Sequence, residues 1–107
     1  MDAFEVKNLA RRLEGSSELY LEFLRTDALS AGVYRLDAGA VDPQDPHNEE
    51  EVYYVVSGRA RITVSGETRD VGPGSVVGVA ARAPHRFHDI SEPLTVLVLF
   101  APPETGS

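Results

Sequence analysis

Short stretches of alternating polar and apolar residues constrain the fold of this chain more than any other feature of its sequence. Between Arg59 and Ser65, the apolar residues Ala60, Ile62 and Val64 alternate with polar ones, which is the period of a half-buried β-strand. Similar β-prone segments are predicted at 19–24, 30–36, 51–57, 68–71, 76–80, 85–89 and 94–100. Turn residues separate the segments, and Ser57-Gly58 and Ser65-Gly66-Glu67 are predicted to be hairpin turns. So many short strands with little helix are typical of an all-β sandwich or barrel.

The rest of the chain adds one further element and sets the size of the fold. Apolar residues at helical spacing predict a short N-terminal helical turn over Asn8–Glu14, which Gly15 ends. The 107 residues are enough for a single domain, predicted to span 1–107. No apolar run approaches the ~20 residues that cross a bilayer, and the N-terminus lacks a signal-peptide pattern. A cytoplasmic protein without a membrane partner is therefore expected.

Charge and cysteine content limit the partners and the kind of metal site. The formal net charge of −7 leaves no basic surface for nucleic acid, so no nucleic-acid partner is expected. Without cysteines, a metal can be bound only by histidine, carboxylates or water. Part of the negative charge lies between Asp42 and Glu51, where Glu49 and Glu50 are interpreted as solvated carboxylates.

Histidine and carboxylate side chains stand at the start of two separate predicted strands. His47 and Glu51 precede and open the strand at 51–57, and His85 opens a later one. Because side chains alternate along a strand, Glu51 and Tyr53 should face the interior together, while Tyr54 faces the other side. Imidazole and carboxylate groups from separate strands are typical of a transition-metal site inside a β-barrel.

The same residues resemble the two motifs of the cupin superfamily, the first of which is G-x5-H-x-H-x3,4-E-x6-G. Gly39, His47, Glu51 and Gly58 fit its spacing, but Asp45 occupies the position of the leading histidine. The second motif is followed more loosely by Gly66, Gly72-Pro73-Gly74, His85 and Asp89. This resemblance implies a double-stranded β-helix, or jelly-roll, barrel with its core at about residues 25–102.

The resemblance also implies a divalent metal ion (Fe, Zn, Mn or Ni) bound by His47, Glu51 and His85. Asp45 either completes a set of four protein ligands or turns away as a loop residue that bonds its own backbone. Gln44 beside it is a weaker substitute ligand. Without Asp45, two histidines and one carboxylate would remain, the set suited to non-haem iron.

Cupins catalyse many different reactions, so the fold implies a class of site rather than one reaction. The first hypothesis is a metalloenzyme, of the dioxygenase or isomerase type, that acts on a small oxygen-rich molecule. Glu51 and Tyr53 are its predicted catalytic residues, with the Tyr53 hydroxyl donating to a substrate oxygen. The alternatives are a non-catalytic module that binds a small ligand and a scaffold with a vestigial site. A homodimer is predicted, formed through the segment at 19–24 and an apolar outer face that includes Tyr54.

Overall fold

A computed structural model describes residues 1–105 and contains one helix and six strands in that range. They are α1 (Val6–Glu14), β1 (Tyr20–Arg25), β2 (Ser30–Leu36), β3 (Glu50–Val64), β4 (Glu67–Val71), β5 (Val76–Val79) and β6 (His85–Ala101). All strand pairs are antiparallel, in the order β1-β2-β6-β3-β4, and β5 also pairs with β3. The all-β prediction and the short N-terminal helix are therefore confirmed.

Two long strands, β3 and β6, replace four of the predicted short ones. The prediction of a hairpin at Ser57-Gly58 is wrong, because β3 runs through both residues. The pairing register between β3 and β6 shifts on each side of Ser57, and Gly58 has a φ of 93°. Such irregularities bend a strand without ending it, so β3 curves around the core. The second predicted hairpin is confirmed: Ser65 and Gly66 both have positive φ and connect β3 to β4.

The long strands bury one face and expose the other. Glu51, Tyr53 and Val55 of β3 are buried, whereas Val52 and Tyr54 are exposed, which confirms the predicted alternation. The main core lies between β3 and β6 and includes Tyr53 and Phe87, with ring centroids 5.0 Å apart. A smaller cluster forms where Leu9 and Leu13 of α1 pack against Val33 of β2. Within the described residues, α1 is too short to cross a bilayer.

Asp89 departs from the alternation that the sequence suggests for β6. His85 and Phe87 are buried as expected, but Asp89 is exposed and has a φ of 49°. It contacts His88 through its carboxylate, at 2.7 Å from His88 Nδ1, rather than pointing inward with His85. The positive φ turns the chain locally, so a strict period of two does not hold across this residue.

Candidate metal centre

The fold brings together three of the predicted metal ligands. His47 lies in the loop before β3, Glu51 is the second residue of β3, and His85 is the first residue of β6. One ligand atom from each lies within 4.8 Å of the others. A backbone hydrogen bond of 2.7 Å from Arg82 N to His47 O holds the loop against the chain that enters β6. The three side chains therefore converge although 38 positions separate the two histidines.

The polar atoms at the centre of this group have no hydrogen-bond partner within the described part of the chain. The side chains of His85 and Glu51 are 0% and 1% exposed, and His85 Nε2 lies 2.9 Å from Glu51 Oε1. The two atoms nevertheless form no hydrogen bond, and the second Glu51 oxygen and His47 Nδ1 are likewise buried without a hydrogen bond. Leaving such groups unsatisfied costs about 1–3 kcal/mol each. A bound cation would satisfy them together.

The tautomer of His85 strengthens this interpretation. His85 Nδ1 lies 2.9 Å from the carbonyl oxygen of Ala83, which can only accept a hydrogen bond, so Nδ1 carries the proton. In neutral His85, the Nε2 lone pair then faces a carboxylate oxygen. Two acceptors in contact need a proton or a metal ion between them. This is the arrangement of a metal-bound histidine, whose other nitrogen donates to the backbone.

A proton competes with a cation for this position. Burial alone would lower the pKa of His85, but the Glu51 carboxylate and the Ala83 carbonyl stabilise the imidazolium, so the net pKa is raised above 6.5. In the metal-free protein, the stabilisation from protonated His85 is full below pH 6.5 and is lost as the pH rises through the higher folded-state pKa.

Metal affinity is therefore expected to vary with pH in the opposite direction to metal-free stability. Below the raised pKa of His85, affinity should fall by about tenfold per pH unit, since one proton must leave before the metal binds. Calorimetric titration with Zn²⁺ or Mn²⁺ between pH 5.5 and 8 measures this slope. An affinity that is constant across this range would contradict the assignment of His85 as a ligand.

Asp45, which occupies the position of the leading histidine in the first cupin motif, does not point toward the other candidate ligands. Asp45 is exposed, and it is not one of the residues whose ligand atoms converge. Gln44 points inward instead: its Oε1 accepts a 3.1 Å hydrogen bond from Tyr53 Oη and lies 3.2 Å from His47 Nε2. The side-chain oxygen that approaches His47 from this part of the loop thus belongs to Gln44 rather than to Asp45.

Asp42 is a site residue that the sequence reasoning missed, because it resembles the other acids of the loop. It is 7% exposed and accepts hydrogen bonds from Tyr34 Oη at 2.6 Å and Phe87 N at 2.9 Å. It also accepts from the backbone N of Gln44 and from Gln44 Nε2, at 3.1 and 2.9 Å. Since a carboxylate can only accept, Asp42 fixes the Gln44 amide with Nε2 toward itself and Oε1 toward His47.

Tyr53, the second predicted catalytic residue, is fully buried beside the group. Its hydroxyl donates to Gln44, and its ring centroid lies 5.9 Å from that of His85. Burial, with a further contribution from the negative charge of Glu51, raises its pKa well above 10. Tyr53 therefore retains its proton at neutral pH and acts as a hydrogen-bond donor.

A second group of ligand-type side chains shares His47. One ligand atom each from His47, Glu49 and Glu104 lies within 4.8 Å of the others. Glu49 is 3% exposed and accepts a 2.8 Å hydrogen bond from Thr105, so its interpretation as a solvated carboxylate is wrong. Glu104 Oε2 lies 3.7 Å from His47 Nδ1. The C-terminal segment thus covers the outer side of His47.

These features define a small antiparallel β-protein with a buried His–Glu–His group, and comparison with known proteins identifies its class. The profile of the cupin domain family matches residues 32–100, so the chain belongs to the cupin family. It is also similar to the crystal structure of TT1209 from Thermus thermophilus, with a TM-score of 0.78 and 24% identity over 96% of this chain and 99% of that one. The predicted cupin jelly-roll fold is thereby confirmed.

Among individual relatives, the uncharacterized protein SCO3923 of Streptomyces coelicolor is 52% identical over 98% of this chain and all of its own. Dimethylsulfoniopropionate lyase DddQ of Ruegeria pomeroyi is 33% identical over 76 residues, which are 70% of this chain and 38% of the lyase. The crystal structure of that lyase matches with a TM-score of 0.67. KdgF from Halomonas sp. matches with a TM-score of 0.71 and 26% identity, covering 78% of this chain and 76% of that one.

Proposed function

We propose that this cupin is a metal-dependent enzyme that acts on a small oxygen-bearing organic molecule, with His47, Glu51 and His85 as ligands of one divalent cation. The main support for the proposal is that His85 Nε2 and Glu51 Oε1 are buried 2.9 Å apart and neither has a hydrogen-bond partner among the described residues. A carboxylate in this environment is costly unless a cation neutralises it. Asp45 remains a proposed ligand only if the loop rearranges, because its side chain is exposed here.

Each residue around the group has a distinct part in this proposal. A divalent cation bound there would supply Lewis-acid polarisation of a substrate oxygen. Ala83 holds the proton of His85 on Nδ1, and Asp42 holds Gln44 so that its carbonyl oxygen faces His47. Tyr53 keeps its proton and donates it to Gln44 Oε1 here, so a substrate oxygen would have to replace Gln44 as the acceptor. The apolar side chains around Tyr53 and Phe87 exclude water and strengthen these polar interactions.

Proton chemistry next to a carbonyl or carboxyl group is the reaction class that we favour over oxidation by dioxygen. The reason is the 33% identity to dimethylsulfoniopropionate lyase, which extends over 70% of this chain. The matched region covers only 38% of the lyase, so we propose its substrate for this chain only as a compound to be tested. Dimethylsulfoniopropionate is the first compound to test.

Metal binding should be visible in thermal stability before any substrate is known. A cation that binds only the folded state at 100 times its Kd adds about 2.7 kcal/mol. For a chain of this size, this corresponds to a rise in Tm of about 10 °C or more. Protein stripped with chelator is titrated with Zn²⁺, Mn²⁺, Ni²⁺ or Fe²⁺ and followed by calorimetry. An unchanged Tm with all four metals would refute the metal centre.

Turnover is tested with the metal-loaded protein. Consumption of dimethylsulfoniopropionate, followed by NMR, would support the lyase-type reaction, whereas oxygen uptake with the Fe²⁺ form would favour the oxidative branch. The non-catalytic alternative is supported if substrates bind the metal-loaded protein and remain unchanged. The observation that favours a non-catalytic binding module is the small cavity beside His47, which has a volume of about 140 Å³.

We also propose that the protein is a homodimer formed through the outer face of β3, β5 and β6. Val52, Tyr54, Val76 and Leu99 are 40%, 43%, 61% and 41% exposed, and they are cross-strand neighbours on one surface. Sedimentation equilibrium should give a dimer that Tyr54→Glu dissociates, because a charge cannot be buried there without a partner. Arg69→Glu on exposed β4 is the control. A wild-type monomer at all concentrations would refute the dimer.

A further inference from the structure

Tyr20 on β1 has a buried hydroxyl with no hydrogen-bond partner in the described part of the chain. Its ring lies directly over Gly32 of β2. A Cβ at Gly32 would fall 2.2 Å from the Tyr20 ring carbon that bears the hydroxyl and from the oxygen itself. Gly32 has no left-handed φ, so glycine is needed here to make room for the Tyr20 ring and not to allow an unusual backbone conformation. The missing side chain allows the Tyr20 ring to lean inward, where it meets Phe100 edge-on at 6.3 Å.

The Tyr20 side chain forms one wall of a cavity beside the metal group. The cavity has a volume of about 140 Å³, and its walls include His47, Gln44, Phe100 and Glu104. A cavity of about 150 Å³ can hold benzene, so the part of a ligand that this cavity encloses has about six non-hydrogen atoms. No lysine or arginine lines the cavity within the described residues, whereas a glutamate does. These walls disfavour a ligand with net negative charge.

Of the two tyrosine hydroxyls at the cavity, that of Tyr20 has a hydrogen to offer a ligand. The Tyr34 hydroxyl already donates to Asp42 at 2.6 Å. Burial, and after it the negative charges of Glu22 and Glu104, raises the pKa of Tyr20 far above 10, so its hydroxyl stays protonated at neutral pH. A buried donor without an acceptor costs about 1–3 kcal/mol, and a ligand oxygen would remove this cost.

We propose that this cavity is a ligand site that binds a compact organic molecule without net negative charge, and that Tyr20 recognises it by donating a hydrogen bond to one carbonyl or ether-type oxygen. Gly32 acts as a positioning residue, because its lack of a side chain leaves the space that the Tyr20 ring occupies. The inference deepens the proposed function, since the site adjoins His47 and would seat the substrate. Binding at this cavity does not require the metal, so the two proposals can fail separately.

The probe is cyclopentanone, which has six non-hydrogen atoms and one carbonyl oxygen. Its isostere methylenecyclopentane, in which CH₂ replaces the oxygen, is the matched control ligand. Both are titrated into metal-free and Zn²⁺-loaded protein and followed by amide NMR shifts at Gly32 and Phe100. Cyclopentanone should bind wild-type protein about 5–10-fold more tightly than its isostere, as expected for one hydrogen bond. Tyr20→Phe should abolish this difference and leave binding of the isostere and the Zn²⁺ stoichiometry unchanged.

A second variant tests the positioning role. Gly32→Ala should displace the Tyr20 ring and weaken both probes, and adding Tyr20→Ala to it should cause no further loss. Equal affinity of wild type for the two probes, or an unchanged preference in Tyr20→Phe, would overturn the proposal. Tighter binding of cyclobutanecarboxylate than of cyclopentanone to metal-free protein would overturn the charge assignment. Loss of Zn²⁺ binding with intact probe binding would instead count against the metal centre alone.

Discussion

His85→Ala is expected to lower the affinity for Zn²⁺ by more than about 100-fold. Loss of a residue that only supports a ligand already costs about 10–100-fold in metal sites, and His85 Nε2 would be a ligand itself. His85 Nε2 is the nitrogen that faces Glu51 at 2.9 Å, and the remaining group of His47, Glu49 and Glu104 offers only one histidine. Isothermal calorimetry at pH 7.5, with elemental analysis of the dialysed protein, measures the loss.

The third histidine provides the matched control. His88 lies three residues further along β6, where its ring contacts Thr63 Oγ1 and the Asp89 carboxylate at 2.7 Å each, and it is outside both ligand groups. His88→Ala should keep full zinc stoichiometry. Because His85→Ala could unfold the protein by leaving Glu51 charged and alone, Glu51→Gln is the second variant. It removes the buried charge, so it should fold and still fail to bind zinc. Wild-type affinity in either His85→Ala or Glu51→Gln would disprove the assignment.

Gly58→Ala is expected to destabilise the fold by about 2–5 kcal/mol, as the sum of a backbone cost and a packing cost. Gly58 has a φ of 93°, which costs an L-residue about 1–2 kcal/mol. In addition, a Cβ there would lie 2.1 Å from the carbonyl oxygen of Pro93 and 2.7 Å from Leu94 Cα. These are backbone atoms of β6 that cannot rotate away, so the two long strands would have to separate, at a further cost of about 1–3 kcal/mol. Urea unfolding measures the loss.

Gly66→Ala separates the two contributions. Gly66 has nearly the same φ, 86°, but a Cβ there would meet nothing within 4 Å. Its substitution should therefore cost only the backbone component of about 1–2 kcal/mol. Equal losses in the two variants would show that the close approach of β3 and β6 at Gly58 has no energetic weight.

Much of the site could be predicted from the sequence because period-two alternation decides which side chains face inward. Glu51 and Tyr53 face inward as a consequence of the β3 pattern, and His85 is buried at the start of β6. Alternation fails where the backbone leaves extended geometry. It predicts the wrong face for Asp89, which has a positive φ, and Ser57-Gly58 forms a bend inside one strand rather than the predicted turn.

The loop before β3 illustrates what no local pattern could decide. Residues 42–49 contain several acids of similar appearance, but Asp42 and Glu49 are buried and Asp45 is exposed. Asp42 is distinguished only by donors from distant positions, the hydroxyl of Tyr34 and the amide of Phe87. Gln44 turns inward because Asp42 and Tyr53 hold opposite ends of its amide.

The sequence by itself determined the all-β class, the cupin motifs and the choice of His47, Glu51 and His85 as candidate metal ligands, because strand periodicity and motif spacing are local properties of the chain. The tertiary structure alone decided that Gln44 rather than Asp45 points toward the histidines, and that Tyr20 reaches the same cavity across Gly32. Both depend on hydrogen bonds and free space contributed by other strands, which are set by folding and not by spacing along the chain.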